Sequence, residues 1–193
     1  INNIDTIITP FTNDDFERFR PEILVTFGGM VVSKRIKAFL RKYKPKHHWH
    51  IDNWRAYDTF NALTHHFKVA PNEFFNAFLP LTNTIKSDYF QQLDAVKELR
   101  KVKGDLYLSK IPFSDFKVFE KVIQSLPTNS QLQISNSSAI RYAQLIDIDP
   151  SIEVYCNRGT SGIDGSTSTA IGAAVANEKQ TVFISGDIGF LYD

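Results

Sequence analysis

Four short runs of strand length punctuate this chain, and each empties into a glycine- or serine-rich turn: Glu22–Phe27, Gln131–Ile134, Ile152–Cys156 and Thr181–Ser185. Helical patterns follow the first three, at Lys34–Tyr43, beyond Ser135–Ser138 and at Ser166–Asn177. Strand, tight turn and helix in repetition specify parallel strands, because parallel neighbours need a crossover and the helix supplies it. The expected fold class is therefore α/β, with doubly wound parallel sheets. After Thr181–Ser185 the chain reaches Asp193 before a crossover helix is complete, and it begins with Ile1 rather than Met. Both observations suggest a piece of a longer protein.

Taken in order, Asn13-Asp14-Asp15 reads as a cap before a short helix, and Ser33 caps Lys34–Tyr43, whose apolar face carries Ile36, Phe39 and Leu40. Lys34 and Arg35 follow the Gly28-Gly29 turn and are placed to reach an anion beyond the strand end; a solvated helix start accounts for them equally. His47–Asp52 reads as the next strand, and His65-His66 fall in a less regular stretch. Five histidines within about twenty residues suggest a metal, but alternation sends His48 and His50 to one face and His47 to the other, and no acidic or cysteine set of familiar spacing joins them. Surface or edge-strand histidines are the expectation. Pro71 starts a helix to Leu79 with Phe74, Phe75 and Phe78 as core. Asp88–Lys103 reads as an amphipathic linker helix, Gly104–Pro112 as a connector, and Ser114-Asp115 as the start of another helix.

The most informative stretch is Asn157-Arg158-Gly159-Thr160-Ser161-Gly162-Ile163-Asp164-Gly165, between a run expected to be a buried strand and a small-residue helix. Glycines let backbone approach a ligand, and a helix start offers free N–H groups to an anion. If the last three strands are parallel neighbours, the turns at Ser135, Asn157 and Gly186 share one sheet edge, and Arg141 and Arg158 become two cations at one site. Arginine's planar fork suits carboxylates and phosphates. Asp187, at a strand end beside Gly186, suits a Mg²⁺ ligand near phosphate and equally suits a helix cap. No Lys-Ser or Lys-Thr follows these glycines, and the spacing is not Gly-x-Gly-x-x-Gly, so neither a nucleotide P-loop nor a dinucleotide fingerprint is present.

Composition bounds the rest. A net charge of +1 gives no reason to expect nucleic acid or an acidic membrane as partner. Cys156, the single cysteine, excludes an internal disulfide and fits a reducing, cytoplasmic compartment. No apolar run approaches the roughly 18 residues of a membrane span, and no signal-peptide layout opens the sequence.

The Asn157–Gly165 stretch, with Ser168, Thr169 and Gly172 after it, the Asn136-Ser137 turn with Arg141, and Ser185-Gly186-Asp187 leading to Leu191-Tyr192-Asp193, resembles the 2-succinyl-5-enolpyruvyl-6-hydroxy-3-cyclohexene-1-carboxylate synthase family of menaquinone biosynthesis. The resemblance is dense from Ser135 onward and looser before it. It implies three segments: 1–84, the C-terminal half of a central Rossmann-like domain; 85–112, a linker helix and connector; and 113–193, the start of a diphosphate-binding domain. It implies thiamine diphosphate with Mg²⁺ or Mn²⁺ as cofactors, and a transferase reaction that decarboxylates 2-oxoglutarate and adds the succinyl carbanion to isochorismate. By the same resemblance, Ser137, Arg141, Arg158, Lys34 and Arg35 bind substrate carboxylates, and backbone at Gly186, Asp187, Ile188 and Gly189 meets the diphosphate. Asp187 binds the metal and Ile163 props the cofactor. The broader pattern of such enzymes is Gly-Asp-Gly, and Ile188 fills the third place here. The activating glutamate and the remaining metal ligands are expected outside this chain, so the chain alone is expected to be inactive and the complete enzyme a homodimer or homotetramer. Another thiamine-diphosphate enzyme, of acetohydroxyacid synthase or oxoacid decarboxylase type, and a non-catalytic α/β anion-binding domain are the alternatives.

Overall fold

A computed structural model describes residues 4–29 and 31–193; Ile1–Asn3, at the head of the expected 1–84 segment, and Met30 lie outside the described residues. The chain is α/β and divides into two compact units, one from Ile4 to Lys101 and one from Val102 to Asp193. The division falls inside the segment read as a linker.

In the first unit, α1 (Ile4–Ile8) and α2 (Asn13–Arg18) precede β1 (Ile23–Phe27), α3 (Lys34–Lys42), β2 (His47–Ile51), β3 (His65–Phe67) and α4 (Pro71–Phe78). The cap of α2 sits one residue earlier than expected: Thr12 accepts from the Asp15 N–H while the Asp15 carboxylate accepts from the Thr12 N–H, a reciprocal capping box. Ser33 caps α3 as expected, accepting from the Ile36 N–H at 2.9 Å. The strands form a parallel sheet ordered β1-β2-β3, with Ile23 opposite His47 and Trp49 opposite His65. The core gathers Phe19, Phe39, Leu40, Tyr43 and Phe60, with Leu93 and Val96 packed against it.

Two expectations about the histidines are corrected here. His65 and His66 belong to a strand, β3, which is too short for its alternation to stand out. His48 and His50 lie neither at the surface nor on an edge, because β2 is the central strand; His48 is 0% exposed. Both are held by one hydroxyl, Thr26 Oγ1 on β1, at 2.9 Å from His48 Nε2 and 2.9 Å from His50 Nδ1. That shared partner satisfies one nitrogen of each imidazole, while His48 Nδ1 is buried without a hydrogen-bond partner, 4.0 Å from Asp58 Oδ1.

Helix α5 (Tyr89–Lys110) runs straight through Gly104, so the expected connector at Gly104–Pro112 is mostly helix. One glycine costs about 1 kcal/mol in a helix, too little to end one of 22 residues. Of its expected apolar stripe, Leu93 and Val96 pack against the core and Tyr89 sits edge-on to Phe19, donating its hydroxyl to the Phe19 carbonyl at 2.9 Å, whereas Leu99 is exposed.

The second unit continues with α6 (Asp115–Gln124), β4 (Gln131–Ile134), α7 (Ser138–Ala143), β5 (Glu153–Cys156), α8 (Ser166–Ala176), β6 (Thr181–Ile184) and the short α9 (Asp187–Leu191). Its parallel sheet is ordered β5-β4-β6. Leu132 and Ile134 on the central strand pack in a core with Ile123, Ile140, Ala143, Ile146 and Ile152 among its buried residues. β5 was expected to be buried; it is an edge strand, with Val154 42% and Tyr155 48% exposed. An apolar run of this length looks the same whether the sheet covers it on two sides or one.

Candidate functional site

Register builds the site. Ile134 at the end of β4 lies opposite Cys156 of β5 and opposite Ile184 of β6. The three parallel strands therefore stop at one level, and the turns beginning at Ser135, Asn157 and Ser185 emerge side by side at the carboxyl edge. Ligands of open parallel sheets bind at this edge. The Ser135 N–H donates to the Ile184 carbonyl at 2.9 Å, which carries the β4–β6 pairing into the turns.

Asn136 stands at the centre. Its Nδ2 donates to the carbonyls of Asn157 and Gly162, each at 2.6 Å, and its Oδ1 accepts from Arg158 Nη1 at 2.6 Å and from Cys156 Sγ at 3.4 Å. Arg158 thus has one guanidinium nitrogen fixed, while its Nε is buried without a partner. A buried, unpaired N–H of a permanent cation costs free energy until an acceptor arrives, and the arginine fork is shaped for a carboxylate. Burial pushes the Cys156 thiol up, against the pull of the Arg158 charge.

The glycine-rich loop closes on a second asparagine. Asn157 Nδ2 donates to the Gly165 carbonyl at 3.1 Å and to Thr169 Oγ1 at 3.0 Å. Gly165, the residue before α8, has φ +72°, where a Cβ would be strained. Gly189 answers a different need. A Cβ there would lie 3.2 Å from Ser185 Oγ, 3.5 Å from Ser135 Oγ and 3.6 Å from the Ile163 carbonyl, so the absent side chain is what brings α9 against the Ile163 loop. Asp193 adds a clasp: its carboxylate accepts from the N–H groups of Gly165 and Thr167 at 2.6 Å each and of Ser168 at 3.4 Å, at the start of α8. Partial desolvation opposes its charge, but these N–H groups outweigh it and hold the carboxyl below its usual range.

The residues singled out in the sequence are placed as follows. Ser137, Arg141, Arg158, Ile163, Gly186, Asp187, Ile188 and Gly189 all belong to the second unit, on the turns of the shared edge or on the short helices that leave it, with Arg141 in the last turn of α7. Ser137 and Arg141 are exposed, and Asp187 is an exposed carboxylate opening α9. Lys34 and Arg35 are exposed in the first turn of α3, in the other unit. Ser137 precedes α7 with φ +69° and ψ −129°, a region that glycine occupies and serine avoids. Among the described residues no group of three His, Cys, Asp or Glu is arranged to hold a metal. Asn136 and Asp193 enter the sequence reading only as members of the resembling motifs, with no role assigned to either. Nothing in the sequence pairs Asn136 with the carbonyls of Asn157 and Gly162, or Asp193 with the Thr167 N–H 26 residues earlier.

A family model described as "Middle domain of thiamine pyrophosphate" matches residues 14–134. Along its whole length the chain is 72% identical to a 2-succinyl-5-enolpyruvyl-6-hydroxy-3-cyclohexene-1-carboxylate synthase of Flavobacterium johnsoniae, 66% identical to that of Flavobacterium psychrophilum, and 39% identical to that of Bacteroides fragilis. It spans 35%, 35% and 34% of those relatives, about a third of their length. No helix among the described residues is long and apolar enough to cross a membrane. With a family model over residues 14–134 and this likeness from end to end, the chain belongs to the thiamine-pyrophosphate enzyme family, on the branch of the 2-succinyl-5-enolpyruvyl-6-hydroxy-3-cyclohexene-1-carboxylate synthases.

Proposed function

We propose that this chain is a segment of a transferase that decarboxylates 2-oxoglutarate and adds the remaining succinyl unit to isochorismate, releasing CO₂. The activity for which its relatives are named motivates the reaction, and one observation carries it to this chain. Arg158 reaches the carboxyl edge of the sheet with one nitrogen fixed and its buried Nε unpaired. Both substrates are dicarboxylates, so a site that grips them needs several cations. Arg158 and Arg141 supply two such cations in the second unit, with the Ser137 hydroxyl as a further hydrogen-bonding group, and Lys34 and Arg35 of the first unit are likewise proposed to bind substrate carboxylates.

The cofactor fits by the same test. Gly186 leaves open space where a Cβ would stand, and Gly189 allows close backbone approach beside Ser135 and Ser185. Backbone from Gly186 through Ile188 to Gly189 would meet a diphosphate, Asp187 would give one ligand to Mg²⁺ or Mn²⁺, and Ile163 would present an apolar surface to the rings. When bound, thiamine diphosphate supplies the electron sink that accepts the bonding pair as CO₂ leaves. This chain's own part is to bind and orient. Arg158 neutralises a carboxylate, its fork sets the angle of approach, and the turns keep the charges within reach of one another. The complete enzyme is proposed to be a cytoplasmic homodimer or homotetramer, and this segment alone to be inactive.

The test uses the uninterrupted gene product. CO₂ release from 2-oxoglutarate with isochorismate is followed with and without thiamine diphosphate and Mg²⁺, in wild type and in Arg158→Ala. Turnover that requires both cofactors and collapses in the variant supports the reading. Cofactor binding without turnover of these substrates would sink it in favour of another thiamine-diphosphate enzyme.

A further inference from the structure

We infer that Asn136 is the positioning residue that sets the Arg158 guanidinium for substrate, an inference that rests on the proposal that Arg158 grips a substrate carboxylate. Asn136 is 2% exposed and makes four hydrogen bonds, the full capacity of a side-chain amide in this geometry. Its orientation is unambiguous. The two carbonyls of Asn157 and Gly162 can only accept and the guanidinium can only donate, so the NH₂ group must face the loop and the oxygen must face Arg158.

The amide therefore joins both ends of the glycine-rich loop to the cation that the loop carries. The carbonyls at Asn157 and Gly162 fix the path of the backbone around Arg158, and the Oδ1 bond fixes Nη1. The Nε edge is then the part of the fork left to receive an anion, and its position is set before any ligand arrives. No other side-chain type does all of this. Aspartate has no donor for the two carbonyls while ionised, serine offers a single donor, and leucine leaves both carbonyls and the guanidinium without partners. Glutamine has the same groups on a longer stem, which the buried position has no room to take in. Asn136 does not itself touch the anion in this arrangement; it acts through Arg158.

The experiment is a double-mutant cycle in the full-length enzyme: wild type, Asn136→Ala, Arg158→Ala and the double variant, with KM and kcat for 2-oxoglutarate and isochorismate. Thiamine-diphosphate affinity is read separately from the quenching of intrinsic fluorescence. Asn136→Ala is expected to raise KM by about 10-fold or more for the same substrate that Arg158→Ala affects, with cofactor affinity changed by less than about 3-fold. The double variant is expected to match Arg158→Ala within about 3-fold, because a misplaced arginine and an absent one cost nearly the same. Asn136→Asp keeps the volume and the acceptor, and so carries the test if the alanine variant does not fold. Its carboxylate pairs off the guanidinium at neutral pH and releases it on protonation, so KM is expected to fall toward the wild-type value as pH is lowered. A merely structural role gives no such limb. Multiplicative, independent effects in the cycle, or a loss confined to cofactor affinity, overturn the inference and leave the substrate-site reading standing. An Arg158→Ala enzyme with both KM values unchanged overturns both.

Discussion

Ser137 offers a test in which stability and function move in opposite directions. Its φ of +69° and ψ of −129° place a Cβ where only glycine is at ease, and its hydroxyl makes no capping bond to α7. Strain of this kind costs about 1–3 kcal/mol. Replacing Ser137 by glycine removes it, at a cost of about 0.5–1 kcal/mol for the greater freedom of glycine in the unfolded chain. The net expectation is a gain of about 1 kcal/mol, or about 4–8 °C in the melting of a compact unit the size of Val102–Asp193. Ser137→Ala keeps the Cβ and the strain, and is expected to melt within about 1 °C of wild type. Both variants lack the hydroxyl, so both are expected to raise the KM of a dicarboxylate substrate in the full-length enzyme. Thermal unfolding followed by circular dichroism, beside steady-state kinetics, separates the two effects. A glycine variant less stable than the alanine one would refute the reasoning, because it would mean that the serine conformation carries no strain worth relieving.

Three further outcomes are expected. Gly104→Ala stabilises α5 by about 0.5–1 kcal/mol, since a Cβ there meets nothing within 4 Å and helix propensity rises; urea denaturation checks it. His48 and His50 have pKa values depressed by burial, partly offset by Asp58 and Asp52 respectively and deepened by the neighbouring imidazole. The unfolded chain takes up protons that the buried rings refuse, so their contribution is complete above pH 6.5 and is lost as pH falls from there through the folded-state values. Thermal melts at about pH 7.5 and about pH 5.5 are expected to show the loss, and His48→Gln to lessen it; a flat profile would contradict this account. In the complete enzyme, Asp187→Asn is expected to weaken thiamine-diphosphate binding by about 10-fold or more and to make it insensitive to added Mg²⁺, measured by titration calorimetry.

Much of the fold was legible because its signals are local. The β4 span, Gln131–Ile134, matches the sequence reading to the residue, since a polar turn bounds it on each side. Ser33 was legible as a cap for the same reason. Failures came where the deciding partner is distant in sequence. β5 reads as buried until its place at the sheet edge is known, and His48 and His50 read as surface residues until Thr26, more than twenty positions earlier, supplies their shared hydroxyl. Gly104 failed differently: a local breaker of about 1 kcal/mol was outweighed by the length of the helix around it.

The site divides along the same line. Charged and glycine positions announce themselves in sequence, because arginine among glycines has few structural uses. The groups that give those charges a direction do not. Asn136 reaches Asn157, Arg158 and Gly162 across more than twenty residues, and Asp193 reaches Gly165 and Thr167 across more than twenty-five. Each contact exists only because β4, β5 and β6 end in register. Parallel pairing converts three unrelated turns into neighbours, and the polar side chains then find partners that no local pattern could specify. A one-residue shift of β5 against β4 would carry Asn157 and Arg158 about 3.3 Å along the sheet, beyond the reach of the 2.6 Å bonds that Asn136 makes to both. Register, set by the apolar residues of the strands, is therefore as much a determinant of this site as the arginines that stand in it.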